Sequence, residues 1–145
     1  MLCFATYSAG LAFNRVYKPL LEPLGLTYPQ YLVMLVLWDA EGLTVSDIGK
    51  QLFLDSGTLT PLLKRLQAAG LIERTRDADD ERQVRVSLTE SGKALEEQTA
   101  TIMPELVCAL GQTESRLAEL NGEVARLRTA LLAHSRYGAG GVRTA

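Results

Sequence analysis

Between Gly42 and Thr89 the chain's hydrophobic period changes from helical to strand-like, and this limits the possible folds more than any other feature. Thr44 caps a short helix, Val45 to about Leu52, with Asp47 in the position of a capping-box acid. After the turn Phe53-Leu54-Asp55, a second helical pattern sends Leu59, Leu62, Leu63 and Leu66 inward. Gly57, Thr60, Pro61, Lys64 and Ala68 fall on the opposite face, and Gly70 is a natural C′ glycine. A proline deep in a helix loses a bond and clashes, so Pro61 predicts either a late helix start, near Gly57, or a kink there, and the late start is the favoured of the two. The period then drops to two: Val84, Val86 and Leu88 alternate with Arg85 and Ser87. Leu71 to Arg76 and Gln83 to Leu88 bracket an acidic loop, which makes a two-stranded hairpin. Helix, turn, helix and hairpin together predict a winged helix-turn-helix. The expected fold class is mainly α with a small β-hairpin.

The flanks are helical and unusually apolar. Residues 4–20 carry Leu11, Val16 and Leu20 with Phe4, Tyr7, Phe13 and Tyr17, too many for one buried stripe. Pro19 and Pro23 are expected to close this helix, with Gly25 at the turn. Thr27-Tyr28-Pro29-Gln30 reads as a capping box with proline in the first turn. It predicts a helix to about Asp39, buried on most sides by Leu32, Val33, Leu35, Val36 and Leu37. On the far side, Thr89 caps a helix expected to run to about Leu110 with a bend at Pro104. Leu110, Leu117, Leu120, Val124, Leu127 and Leu131 follow at spacings of 7, 3, 4, 3 and 4, a heptad-like seam in which Asn121-Gly122 is expected to restart the helix. Because the central module is already complete, these end helices are assigned to a dimer interface rather than to packing on their own domain. The resulting plan is one domain over 1–145. Dimerisation helices occupy 1–40 and 90–136, the winged helix-turn-helix 43–89, and a glycine-rich disordered tail 137–145.

Charge is sorted locally rather than in bulk. The net charge is −2, and Thr44 to Lys93 carries eight basic and eight acidic residues, so no broad basic face is available. Lys64, Arg65, Arg74 and Arg76 cluster, whereas Asp77, Asp79, Asp80 and Glu81 gather in one loop, a pattern suited to a two-point contact with DNA. The longest apolar run, Tyr31 to Trp38, is too short to cross a bilayer. Met1 to Phe13 lacks the basic start of a secretory signal, and a cytoplasmic location is expected. Two distant cysteines argue against a disulfide scaffold or a CxxC metal site, and His134, the one histidine, has no metal partners. No cofactor is expected. Gly49-Lys50 is not a phosphate-binding loop, because Gln51 stands where Ser or Thr is needed.

Cys3, followed by Tyr17 and Tyr28, adds a possible chemistry. A lone cysteine is ordinarily a small buried hydrophobe. A thiol held near phenol hydroxyls can instead sense an oxidant without a cofactor.

The stretch Leu43 to Leu88, with Asp79-x-x-Arg82 at the wing tip and Leu88-Thr89-Glu90-x-Gly92 at its exit, resembles the MarR family of bacterial regulators. Narrower segments resemble the organic hydroperoxide resistance regulators (OhrR) within it. These are Leu2-Cys3-Phe4-Ala5-x-Tyr7-Ser8, Tyr17-Lys18-Pro19-Leu20-Leu21, Leu26-Thr27-Tyr28-Pro29-Gln30-Tyr31 and Phe53 to Leu63. The resemblance implies a homodimeric repressor that leaves its operator when an organic hydroperoxide oxidises the N-terminal cysteine. The reactive cysteine carries over to Cys3 and its hydrogen-bonding tyrosines to Tyr17 and Tyr28. Cys108 lies where the two-cysteine branch has its resolving partner, which implies a disulfide between subunits. One departure is that members carry further chain before the reactive cysteine, whereas Met1 and Leu2 precede Cys3. A shortened first helix or an internal start would each account for it.

The residues can do this chemistry. The thiolate is the nucleophile, with an ordinary thiol pKa of about 8.5. Phenol hydrogen bonds would favour the anion, since Arg15 and Lys18 are the nearest cations. Tyr17 lies fourteen residues along the same helix, ~21 Å by rise. The phenols must therefore reach Cys3 by folding back or from the other subunit, and the other subunit is expected. Sulfenic acid then condenses with a thiol, and Cys108 is the candidate. On the DNA side, paired recognition helices sit about 34 Å apart. Ser56, Gly57, Thr58, Thr60, Pro61 and Lys64 are the groove-facing candidates, and Arg74, Arg76 and Arg85 the phosphate contacts. Arg82 is expected in the minor groove, oriented by Asp79 or Asp80.

Three rivals predict different behaviour. A MarR-type repressor released by a non-covalent aromatic ligand needs no cysteine. A thiol peroxidase would turn over and leave the winged helix unexplained. A purely structural dimerisation module would show no salt-dependent binding to DNA.

Overall fold

The computed structural model describes the backbone of residues 1–77 and 80–138 and the side chains of 1–77 and 80–134. Asp79, one of the two expected supports of the wing arginine, and residues 139–145 of the expected tail lie outside the described residues. The chain forms two compact units, Met1–Leu106 and Val107–Ala145.

In the first unit, α1 spans Leu2–Leu21. Pro19, expected to end it, lies inside the helix: its missing N–H removes only the bond to Arg15, and the Glu22 N–H still reaches the Lys18 carbonyl. The chain closes two residues later in a 3-10 turn, Glu22–Leu24, followed by Gly25 at φ 67°. α2, Tyr28–Asp39, begins where the capping residues placed it, with Gln30 Oε1 accepting from the Thr27 N–H at 2.8 Å and its hydroxyl at 3.0 Å. Tyr31, Val33, Met34 and Leu37 are buried in the core, but Leu35, expected inside, is exposed.

The central module follows as β1 (Leu43–Thr44), α3 (Val45–Leu52), α4 (Ser56–Ala68), β2 (Ile72–Arg76) and β3 (Val84–Leu88). The sheet has three antiparallel strands in the order β1-β3-β2, not the two of a simple hairpin. β1 is two residues long, too short to show a period, and pairs Leu43 with Val86 and Thr44 with Arg85. Thr44 also caps α3: its oxygen accepts from the Asp47 N–H at 3.1 Å, and its hydroxyl donates to Asp47 Oδ2 at 2.6 Å. The turn into α4 runs through Phe53 at φ 57°, a strained position for an aromatic residue. α4 buries Leu59, Leu63 and Leu66 against α3 and β2, while Leu62 is half-buried. It begins at Ser56, close to the expected late start, yet still encloses Pro61. Without that N–H, the carbonyl of exposed Gly57 loses its i+4 donor and is left to solvent or a ligand.

The long helix expected from Thr89 to Leu110 is two helices, α5 (Glu90–Gln98) and α6 (Ile102–Leu110). Pro104 would clash with the Ala100 carbonyl in a continuous helix, so the chain breaks upstream of it rather than bending at it. In the turn between them, the Ile102 N–H donates to the Thr99 carbonyl at 2.9 Å.

In the second unit, α7 spans Glu114–Gly138 after Gly111 at φ 60°, with Thr113 Oγ1 accepting the Arg116 N–H. Asn121-Gly122 does not restart it. A mid-helix glycine costs about 1 kcal/mol but does not end a helix whose hydrogen bonds continue on both sides. Along the expected seam Val124 and Leu131 are exposed, and so are Phe4, Tyr7 and Leu11 of α1. Among the described residues no single helix is long and apolar enough to cross a membrane.

Candidate functional site

Cys3 is the second residue of α1, and its thiol is free and exposed. Cys108, in α6, is also free and exposed. The two tyrosines lie elsewhere. Tyr17, only 5% exposed, stacks on Tyr28 with ring centroids 4.3 Å apart and planes 16° from parallel. The capping box that starts α2 positions Tyr28, and the helical repeat of α1 turns Tyr17 inward to meet it. Because α1 is unbroken from Leu2 to Leu21, Cys3 and Tyr17 of one chain sit ~21 Å apart along its axis. The structure thus brings the two phenols together and leaves Cys3 apart from Tyr17.

Burial, then the neighbouring Tyr28 and Tyr31 phenols, pushes Tyr17 up to about 12. Burial raises Tyr28 as well, and it raises Tyr31 against the opposing pull of a hydrogen bond with Thr99. All three are neutral at physiological pH, and Tyr17 and Tyr28 are the pair of hydroxyl donors the stack presents. A cleft of about 460 Å³ opens beside Tyr28, lined among others by Asn14, Lys18, Thr27 and Pro29. The aromatic series continues inward, to Tyr31 at 5.7 Å from Tyr17 and Trp38 at 6.2 Å from Tyr31. Trp38 Nε1 donates to the Gly92 carbonyl at 2.9 Å.

The second candidate face is made by α4 and the wing. Ser56, Gly57, Thr58, Pro61 and Lys64 are exposed on α4, and Thr60 is half-buried. One of them, Thr58, also serves the helix cap. Asp55 Oδ1 accepts the Thr58 N–H at 2.9 Å and Oδ2 its hydroxyl at 3.0 Å, which holds the Asp55 carboxyl below its usual range. A Cβ at Gly57 would come within 3.0 Å of that carboxylate.

The wing arginines divide by partner. Arg82 is 94% exposed at the tip, and its N–H and Nε both donate to Asp80 Oδ1, at 3.1 and 3.3 Å. Gln83 Nε2 holds the other Asp80 oxygen at 3.2 Å. These bonds, led by the Arg82 N–H, lower the Asp80 pKa. Arg74 Nε is braced by Gln67 Oε1 of α4 at 2.7 Å, and Arg76 is exposed. Arg85, expected at phosphate, is half-exposed and also ties the wing base together: it pairs with Asp77 Oδ2 and donates to the Gly42 carbonyl at 2.8 Å.

Sequence reasoning missed Asp77, which appeared only as one acid in a charged loop. It is buried, and its second oxygen accepts the Asp80 N–H at 3.3 Å. The signal was its place opposite Gln83 on the hairpin, two residues diagonal from Arg85. Gln67 and the Trp38–Gly92 bond had no such signal. Between the start of α3, α4 and the wing lies a cleft of about 360 Å³, bordered by Ser46, Thr60, Arg74 and Arg82.

A capped helix-turn-helix closed by a braced three-stranded wing is the architecture of a winged-helix transcriptional regulator. The family model "Transcriptional regulator SarA/Rot" matches residues 15–98. The chain is 50% identical over 137 residues to the HTH-type transcriptional regulator TtmR of Methylorubrum extorquens, covering 94% of this chain and 69% of that protein. It is 48% identical over 119 residues to the organic hydroperoxide resistance transcriptional regulator of Bacillus subtilis, covering 82% and 81%. Among solved structures, AbfR of Staphylococcus epidermidis superposes with a TM-score of 0.78 at 36% identity over 91% of both chains. Further AbfR structures show it reduced and bound to DNA, at TM-score 0.79, 35% identity and coverage of 91% and 90%, and in a disulfide form, at 0.63, 35% and coverage of 87% and 88%. The chain belongs to the MarR and SarA/Rot family of transcriptional regulators.

Proposed function

We propose that this chain is a homodimeric, DNA-binding repressor that senses organic hydroperoxides through Cys3 and then releases its operator. The observation that carries this reading is the stacked, buried pair of neutral phenols at Tyr17 and Tyr28, beyond the axial reach of the Cys3 on the same helix. A second copy supplies the missing thiol. The exposed apolar residues of α1 and α7 would be covered in that dimer. Support comes from the relative named for organic hydroperoxide resistance and from AbfR, whose structures include reduced, overoxidised and disulfide forms, two of them bound to DNA.

In the proposed reaction the Cys3 thiolate attacks the terminal oxygen of R–OOH. An S–O bond forms, the O–O bond breaks, and the alkoxide leaves as ROH after taking a proton. The Tyr17 and Tyr28 hydroxyls of the partner subunit stabilise the thiolate by hydrogen bonding. The sulfenic acid condenses with the Cys108 thiol, releasing water and forming a disulfide between subunits. Moving the helices that carry these sulfurs changes the spacing of the two α4 helices, and contacts at both half-sites are lost together. In the reduced state α4 enters the major groove, Arg82 the minor groove, and Arg74 and Arg76 meet phosphates.

A mobility shift with operator DNA and cumene hydroperoxide tests this. Wild-type protein leaves the DNA and Cys3→Ser stays bound. Release of Cys3→Ser at the wild-type dose would favour the non-covalent ligand reading instead. Cys108→Ser keeps part of the response but loses the cross-link on non-reducing gels, and an unchanged cross-link removes Cys108 from the scheme.

A further inference from the structure

We propose that Trp38 is the positioning residue through which a change at the sensor phenols reaches the wing, an inference that rests on the sensing role proposed for Tyr17 and Tyr28. The rings form one contiguous series: Tyr28 on Tyr17 at 4.3 Å, Tyr17 to Tyr31 at 5.7 Å, and Tyr31 to the edge of Trp38 at 6.2 Å. These separations lie within aromatic contact range, so a displacement of one ring presses on the next. A cleft of about 590 Å³ borders Tyr31 and Trp38 on their outer side and gives the indole room to move. At the other end the indole N–H is bonded to the Gly92 carbonyl at 2.9 Å.

Gly92 is a joint without slack. It is buried in the first turn of α5, and a Cβ there would lie 2.0 Å from the Leu71 carbonyl oxygen. That carbonyl also accepts the Thr89 N–H at 3.1 Å, and the Thr89 hydroxyl donates to the Gly70 carbonyl at 2.6 Å. Leu71 leads directly into β2, which carries Arg74 and Arg76 and pairs along its length with β3. A shift of the indole that keeps its hydrogen bond therefore moves α5 against the base of the wing.

Trp38 is the one tryptophan in the chain, so its emission reports on this joint without any substitution. Wild-type protein and Trp38→Phe are compared before and after cumene hydroperoxide. Cys3 oxidation is read by intact mass, operator Kd by titration, and emission by fluorescence. The expected result is that Trp38→Phe oxidises Cys3 at the wild-type rate and binds operator normally when reduced. Its oxidised-to-reduced Kd ratio falls about fivefold or more, the lower edge of ordinary coupling factors. In the wild type, Trp38 emission shifts on oxidation. An unchanged Kd ratio in Trp38→Phe overturns the inference. So does unmoved emission in wild-type protein whose Cys3 is oxidised and whose operator is released, a result that needs no folded variant. Release without Cys3 oxidation overturns instead the sensing role on which the inference rests.

Discussion

The ring of Tyr28 lies stacked on that of Tyr17 at 4.3 Å, joining the first turn of α2 to the inward face of α1. The contact fixes two phenols side by side and burial keeps both protonated, so a pair of hydroxyl donors is ready before any thiol arrives.

If those hydroxyls stabilise the Cys3 thiolate, Tyr17→Phe and Tyr28→Phe each slow its oxidation while leaving operator binding intact. A hydrogen bond to a charged group contributes about 1.5–3 kcal/mol, which corresponds to roughly tenfold or more in rate. Stopped-flow thiol oxidation with cumene hydroperoxide checks this. Wild-type rates in both variants would remove the phenols from the reaction.

The same burial makes the fold sensitive to alkali. Tyr17 ionises near 10.0 when unfolded and at about 12 when folded. Its contribution is complete below pH 10 and is lost as pH rises through 12, because the unfolded chain gives up the proton first. Denaturant midpoints should therefore fall over that window, and Tyr17→Phe should flatten the fall. Phenolate absorbance should show Tyr17 titrating at about 12.

Much of this architecture was legible because its signals are local. Thr27, Thr44 and Thr89 start helices where their side chains can satisfy free amides, and the alternation from Val84 to Leu88 gave β3. Pro19, Pro61 and Pro104 were harder to read. Pro19 and Pro61 are tolerated inside helices, whereas Pro104 breaks the chain several residues upstream. Asn121-Gly122 carried a turn signature that hydrogen bonding on either side of it overrides. In the candidate site, the residue types and the separation of Cys3 from Tyr17 could be read from α1 alone. The Tyr17–Tyr28 stack, the Asp77 brace and the Trp38–Gly92 bond could not, since each depends on how separate elements pack.

Arg82 and Asp77 should fail in different ways. Arg82→Ala weakens operator binding in both redox states and lowers the salt dependence by about one counterion, with little change in stability. Asp77→Ala leaves Arg85 with only its bond to the Gly42 carbonyl and takes the acceptor from the Asp80 N–H, so it should lower stability by about 1–3 kcal/mol and weaken binding through a loosened wing. Urea midpoints alongside affinity measured across a salt series separate the two.

Gly92→Ala is expected to be the most damaging small substitution in the first unit. The added methyl meets the Leu71 backbone at 2.0 Å, which cannot move aside as a side-chain tip could. Overpacking costs about 1–3 kcal/mol, and more where the neighbour is backbone. A melting temperature close to wild type would show that α5 can lift from the wing without penalty.

In the proposed mechanism the chemical state of Cys3 governs occupancy of the operator. The direct measurement follows both in one sample: intact mass for Cys3 and fluorescence anisotropy for bound DNA, after a single addition of cumene hydroperoxide. Release is expected never to run ahead of Cys3 oxidation, and a reductant is expected to reverse both together. Complete release while Cys3 is still a free thiol would contradict it.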